Sequence, residues 1–318
     1  MAEFHKNSKL VKGINSSFIT LVSKKENPVG LADYRPISLV SSLYKILTKV
    51  LSSRLKAVIP QIISENQSAF IGGRNILNGV LVANEVVDSW KKAKKRGLII
   101  KLDFEKAYDS LNWDFLLSMK LNFGFSEKWV KWIKECIISA RLSVHVNGAP
   151  NDEFSPQRGL RQGDALSSFL FSIAAKGLTD VLEVRNVKRI LRCFELLSGL
   201  KINYHKSLVS RVGVPVEVMN EIASVLSCKV KSMPFQYLGL LLGVNPSRKA
   251  SWRPMLDKAR SKLAGCKRKL LSFAGRLTLI KYVLSSLPIY YLSLYKLPQG
   301  VGRELDKIQA SFLWEGLI

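Results

Sequence analysis

The chain has 318 residues, 47% hydrophobic and 23% charged; that is material for a sizeable core, and it excludes a chain disordered throughout. Lysine and arginine number 49 against 24 acids, a formal net charge of +25, and an excess of this size points to a polyanionic partner. At ~150 residues per domain, the length suggests roughly two domains.

The first eight residues, Met1-Ala-Glu-Phe-His-Lys-Asn-Ser8, contain no apolar h-region, so no signal peptide is expected. Residues 1–38 read as mixed and turn-rich, with Asn27-Pro28-Val29-Gly30 as a turn. Tyr34-Arg35-Pro36 reads as extended, because the residue before a proline is pushed out of the helical region. A helix then follows, capped by Ser38, Ser41 or Ser42. Leu43, Leu47, Val50, Leu51 and Val58 form its apolar stripe, Lys45, Lys49 and Lys56 face the other way, and Pro60 ends it. Asn75 to Ala93 reads as a second helix, stopped by Gly97; an apolar strand, Leu98 to Leu102, follows and ends on Asp103.

Trp113–Phe123 and Glu127–Ala140 read as helices, and Arg141–Val146 alternates as a strand before the hairpin signal Asn147-Gly148. Long apolar helix is expected over Ala165–Val184, and another helix over Val187–Leu197 with Gly199 as its left-handed cap. Lys201–Tyr204 and Tyr237–Gly243 read as strands, the glycines of the second marking bends. From Ser251 onward the pattern is helical. Strands and helices mix without regular βαβ alternation, so the class is α+β with a helical C-terminal domain starting near residue 246. The apolar stretch Tyr282–Tyr295 is short for a bilayer span, and no membrane segment is expected. Cys136, Cys193, Cys228 and Cys266 are scattered singly, away from His5, His145 and His205. Neither a zinc site nor a disulfide framework is suggested, and a reducing intracellular compartment, nuclear or cytoplasmic, is expected.

Three segments are candidates for chemistry. Asp103 sits at the end of a strand, where a carboxylate suits Mg²⁺; the residues alone equally fit a solvated aspartate capping the next helix. Leu160-Arg-Gln-Gly-Asp-Ala-Leu-Ser-Ser168 opens a helix, where glycine and a polar side chain can approach a phosphate closely or form a plain capped turn. Arg248 to Arg276 holds ten basic residues and one acid, Asp257. Along it Leu256, Ala259, Leu263, Cys266 and Leu270 form an apolar stripe, flanked by Lys258, Arg260, Lys262, Lys267, Arg268 and Lys269. Solvated helix faces usually mix signs, so phosphate contact is favoured here.

Taken together these segments resemble the reverse transcriptase, an RNA-directed DNA polymerase, of plant non-LTR (LINE-type) retrotransposons. The resemblance rests on motifs in family order: Ser16–Lys25; Asp33-Tyr-Arg-Pro-Ile-Ser38 with Tyr44-Lys-Ile-Leu47; Gln67–Arg74; Leu102-Asp-Phe-Glu-Lys-Ala-Tyr-Asp109; Gly159-Leu-Arg-Gln-Gly-Asp164; Ser198–Asn203 with Lys206-Ser207; and Tyr237-Leu-Gly239. It implies a right-hand polymerase: partial fingers over residues 1–95, palm over 96–245, and a mostly helical thumb over 246–318 that grips the duplex. It further implies that Asp103 is the catalytic, metal-binding aspartate and that Tyr108 screens the sugar 2′ position. Gln162 and Gly163 would shape the nucleotide pocket. Arg35, assisted by Lys25, would meet the triphosphate, which suits the bidentate guanidinium. The implied cofactor is Mg²⁺, and the implied partners are an RNA template and an RNA–DNA duplex.

The chain also departs from that pattern. Its ten aspartates include no adjacent pair, and the lone adjacent acid pair is Asp152-Glu153. The family's Ala-Asp-Asp hairpin is therefore absent, and the resemblance places an internal deletion in the palm near residues 181–186. Asp180 and Glu183 lie nearest that gap, and Ala165 and Ser168 replace two prolines usual in the pocket motif. Loss of the hairpin is expected to leave Leu98–Leu102 without its natural neighbour and the palm incomplete. The expectation is a reverse transcriptase domain that has lost activity, a pseudoenzyme. Its alternative is a non-catalytic nucleic-acid-binding remnant or a domesticated RNA-binding, maturase-like protein.

Overall fold

The structure, a computed structural model, describes residues 2–146, 149–179, 187–264, 271–284 and 291–314. The Asn147-Gly148 turn, Asp180, Glu183, Cys266, Lys267, Arg268, Lys269 and Leu270 lie outside the described residues.

Helix α1 (Ala2–Asn7) leads into β1 (Ser16–Ser23), β2 (Tyr34–Val40) and the long helix α2 (Ser42–Ile62). Then come α3 (Asn78–Lys92), β3 (Gly97–Lys101), the single turn α4 (Ala107–Ser110), α5 (Trp113–Asn122) and α6 (Glu127–Ile138). Strands β4 (Arg141–Val146) and β5 (Ala149–Pro150) precede α7 (Ser167–Thr179) and α8 (Val187–Ser198). The remainder holds β6 (Leu208–Val212), α9 (Val216–Leu226), β7 (Lys229–Val230), β8 (Phe235–Tyr237) and β9 (Leu240–Leu242). Helices α10 (Arg253–Ala264), α11 (Phe273–Leu279) and α12 (Gln299–Trp314) close the chain. Among the described residues no helix is long and apolar enough to cross a membrane.

Two compact units result. The first comprises Met1–Ile76, Ile99–Val209 and Pro215–Val230. Helix α2 shows how its core forms. Ser41 Oγ accepts the Tyr44 N–H and caps the helix. Tyr44, Leu47, Thr48, Leu51, Ser52, Leu55 and Ile59 recur at helical spacing and are buried. This face is turned by about one residue from the stripe the apolar residues suggest: Leu43, Val50 and Val58 are exposed, because a phenol and two hydroxyls occupy the buried side instead. Pro60 does not end the helix, which runs on to Ile62. The carbonyls freed at its end are taken by Arg74, whose guanidinium donates to Pro60, Ile63, Ser64 and Gln67.

The Ser16–Ser23 segment, read as part of a turn-rich region, is a strand. It pairs antiparallel with β2 and parallel with β4, giving the order β2-β1-β4-β5. A second sheet has the order β3-β6-β7: β3 pairs with β6 on one side and is an edge strand among the described residues. Lys201–Tyr204 is not a strand; only Ile202 bridges, to Phe104. Helices α2, α5, α6, α7 and α8 pack Leu55, Leu116, Ile133, Leu170 and Leu191 into one core.

The second unit comprises Leu77–Leu98, Ser210–Val214 and Lys231–Ile318. Here Tyr237–Gly243 is a hairpin end rather than one strand: β8 and β9 pair antiparallel around Leu238-Gly239, both at positive φ (49° and 80°), the backbone a two-residue primed turn demands. Val80, Leu240, Trp252, Leu256, Ala259, Leu263 and Phe312 form this unit's core.

Candidate nucleotide and nucleic-acid site

Two glycines set the site in the first unit. Gly159 lies at φ +86°, and a Cβ there would stand 2.6 Å from the Asp109 carbonyl oxygen. Only a residue without a side chain lets the loop close on α4: the Gly159 N–H donates to Leu111 O at 2.7 Å, and the Leu160 N–H to Tyr108 O at 2.5 Å. Gly163, at φ +103°, makes the same close approach to β2, where a Cβ would lie 2.9 Å from Ser38 O. The Ser38 N–H there donates to Gln162 O at 2.7 Å. The Gly159–Asp164 loop is thus pinned to the Tyr108–Leu111 turn on one side and to β2 on the other.

Beneath the loop lies a buried polar cluster. Arg161 and Asp164 side chains are 9% and 5% exposed and form an ion pair at 3.4 Å. Arg161 also donates to Ser17 Oγ at 3.0 Å and stacks 4.3 Å over the Tyr44 ring. The Tyr44 hydroxyl stands 3.1 Å from both Asp164 Oδ2 and Cys136 O, and its single proton serves one of them. Asp164 Oδ1 accepts the Leu166 N–H at 3.0 Å, so the capped-turn reading of this motif is correct for Asp164. Burial, with Cys136 and Asp164 nearby, pushes the Tyr44 phenol well above its ordinary range. Burial first, and then Asp164, pushes the Cys136 thiol up to about 12. A cavity of about 200 Å³ above this cluster is lined by Ser38, Tyr44, Asp109, Trp113, Gln162 and Asp164 among others. Desolvation raises the Asp109 carboxyl pKa, against the pull of Lys106 and Lys24.

Asp103 follows β3 and is half-buried. Its backbone is held on both sides: the N–H donates to Ser207 Oγ at 3.0 Å, and the carbonyl accepts the Asn203 N–H at 2.7 Å. Its carboxylate does not cap the next helix: the N-cap of α4 is Lys106, and no side chain caps it. Tyr108 stacks on Phe171 with ring centres 5.4 Å apart, and desolvation raises its phenol pKa. Arg35 is exposed on β2, opposite Val22. Lys25 pairs with Asp33 at 2.8 Å, and that contact, with the Val29 and Gly30 N–H groups, holds the Asp33 carboxyl below its ordinary range.

In the second unit Lys258, Arg260 and Lys262 are exposed on α10, while Leu256, Ala259 and Leu263 are buried as their spacing predicts. Arg260 is engaged by Asp257 at 3.0 Å and by Glu304. Glu304 also holds Lys249 at 2.6 Å, and these contacts lower its carboxyl pKa. The groove around them measures about 820 Å³ and adds Arg303 and Lys307.

The family model of the reverse transcriptase (RNA-dependent DNA polymerase) matches residues 22–195, just over half of the chain. The chain belongs to the reverse transcriptase family. This reverse transcriptase domain is 28% identical over 192 residues to the 149 kDa protein of transposon TX1 from Xenopus laevis, covering 60% of this chain and 15% of that protein. It is 28% identical over 150 residues to the Pol polyprotein of the type-2 retrotransposable element R2DM from Drosophila melanogaster, covering 47% of this chain and 14% of that one. It is thus a reverse transcriptase domain of the non-LTR retrotransposon type, and it spans about a seventh of these relatives' length. A Candida tropicalis telomerase, solved in complex with a fragment of telomeric RNA, matches 96% of this chain and 55% of its own, with TM-score 0.50 and 14% identity. That likeness gives the fold: an α+β right-hand polymerase.

The family generally uses Mg²⁺, and Mg²⁺ requires oxygen donors converging in near-octahedral geometry. Among the described residues no three His, Cys, Asp or Glu side chains cluster to hold a metal. The described donors therefore do not fit a pair of ions around Asp103. Arg161, Asp164 and Tyr44 stand inside motifs legible in the sequence, but no role was read for them. The signal was available: opposite charges three residues apart beside a glycine, at the mouth of an apolar helix.

Proposed function

We propose that the chain is the polymerase region of a plant LINE-type reverse transcriptase that binds an RNA template and RNA–DNA duplex but, as written, does not extend primers. Residues 1–95 serve as fingers, 96–245 as palm and 246–318 as thumb. Arg35, Tyr108, Gln162 and Gly163 shape the nucleotide pocket, and Lys258, Arg260, Lys262, Lys267, Arg268 and Lys269 contact phosphates. The plant assignment and the palm deletion near residues 181–186 rest on the motif set and its missing hairpin. The +25 charge and the engagement of the family model support the binding role.

The observation that carries the inactive reading is the isolation of Asp103. No two aspartates are adjacent anywhere in the chain, and among the described residues no acid cluster includes Asp103. Mg²⁺ would supply the charge stabilisation that nucleotidyl transfer needs; one carboxylate does not hold a pair of such ions. What remains to these residues is positioning: Gly159 holds the Gln162 loop against the Tyr108–Leu111 turn, Gly163 holds it against β2, and the Arg161–Asp164 pair holds it from below.

Primer extension on an RNA template, with Mg²⁺ or Mn²⁺, tests this. The chain as written and its Asp103→Asn variant are expected to give no product. A version with a relative's Asp-Asp hairpin restored between Val184 and Asn186 is expected to extend. Extension by the unmodified chain, abolished by Asp103→Asn, would overturn the inactive reading.

A further inference from the structure

A second basic surface lies in the first unit, away from the α10 cluster in sequence and outside every motif of the site. Helix α6 carries Lys128, Lys131 and Lys134 at three-residue spacing, all exposed. At 1.5 Å rise and 3.6 residues per turn, they occupy one third of the helix surface and run for ~9 Å along it. The opposite side of α6 is buried by Val130, Ile133, Cys136 and Ile137. The lysines therefore face a groove of about 800 Å³, whose other wall is the end of α1 with Lys6 and the residues after it with Lys9.

The wall is held in place by a specific contact. Glu135, on the lysine side of α6, accepts the Leu10 N–H at 2.9 Å and pairs with Lys9 at 3.5 Å. Its charge is thus spent on fixing the N-terminal segment. Glu127 pairs with Lys131 at 3.6 Å across exposed side chains, a contact worth little in water. Five lysines against two acids leave the groove a net +3. Lys6 and Lys134 have no ion pair among the described residues. Lys128 lies 5.5 Å over the Trp132 ring, and His5 packs on the same indole at 5.1 Å.

We propose that this groove binds the phosphate backbone of a single nucleic-acid strand, as a contact separate from the α10 cluster. The choice of polyanion rests on the family reading above; the groove itself rests on its geometry. Lysines act on phosphate as point charges and carry no base readout, so RNA and DNA strands of equal sequence should bind alike.

The test is fluorescence anisotropy with an RNA oligonucleotide, the matching DNA and polyglutamate, titrated over salt. It compares the full chain with Lys128→Gln/Lys131→Gln/Lys134→Gln and with the corresponding Arg triple. Each lost single-strand phosphate contact should flatten the log–log salt slope by ~0.7, so the Gln triple should lose about 1 to 2 units and the Arg triple almost none. On the wild-type chain, lysine acetylation read by mass spectrometry should show Lys128, Lys131 and Lys134 protected by the oligonucleotide. An unchanged slope, absent protection, or a loss confined to polyglutamate would overturn the proposal while leaving the family reading intact. A wild-type chain that binds neither strand would overturn both.

Discussion

Lys120 is a lysine in the wrong solvent. It lies on α5, its side chain is 0% exposed, and its Nζ has no hydrogen-bond partner among the described residues. It sits 4.7 Å over the Phe125 ring. Burial lowers its pKa from 10.5 to about 7. Below about pH 7 both folded and unfolded chains carry the proton, and the full cost of a buried charge stands. Between about 7 and 10.5 the unfolded chain binds more protons, so stability rises with pH; above 10.5 the cost is gone. The interval of about 3.5 units, at 1.36 kcal/mol each, puts that cost near 5 kcal/mol, about 4 of it present at pH 7. Lys120→Met keeps the apolar stem and removes the charge. Urea unfolding at about pH 7 should find the Met variant more stable by several kcal/mol. The gap should close toward about pH 10, because only the wild type gains there. Equal stabilities at neutral pH, or a gap that does not shrink with pH, would refute the reasoning.

Two further outcomes follow from the site. Gly159→Ala must place a Cβ 2.6 Å from the Asp109 carbonyl at φ +86°; a loss of about 2 to 4 kcal/mol in thermal unfolding is expected, together with weaker nucleotide binding. Arg161→Met strands the buried Asp164 carboxylate and should cost about 3 to 5 kcal/mol, whereas adding Asp164→Leu to it should restore much of that, as a double-mutant cycle in urea would show.

Much of the helical framework was legible because its signals are local. Ser41, one of the three serines expected to cap α2, does so through its side chain, and α5 and α6 start and stop within two residues of their expected ends. Strand β1 was missed because Phe18, Leu21 and Val22 are exposed rather than alternating cleanly, and one of its two partners, β4, lies some 125 positions onward. Helix α9 and strand β6 were also unread; β6 is buried at four of its five positions, which leaves no period to see. In the site, glycines and motif order marked the loop. The Arg161–Asp164–Tyr44 cluster was hidden because a polar residue's burial is set by the elements folded over it. Helix α2 makes the same point, since Tyr44, Thr48 and Ser52 displaced the more apolar Leu43 and Val50 from the core.

Arg74 gives the Gln67–Arg74 motif a mechanical meaning. One side chain holds four main-chain oxygens spread from Pro60 to Gln67, so the segment acts as a belt whose buckle is a guanidinium. A belt is defined by its length. Phe70 is 55% exposed, while its neighbour Ile71 is buried in the core and pins the middle of the segment. An added or deleted residue carries the buckle off the helix end and leaves those oxygens unmet. Lysine at position 74, with one point of charge instead of a planar fork, would reach fewer of them. In this stretch the count of residues matters as much as the identity of Ile71 and Arg74.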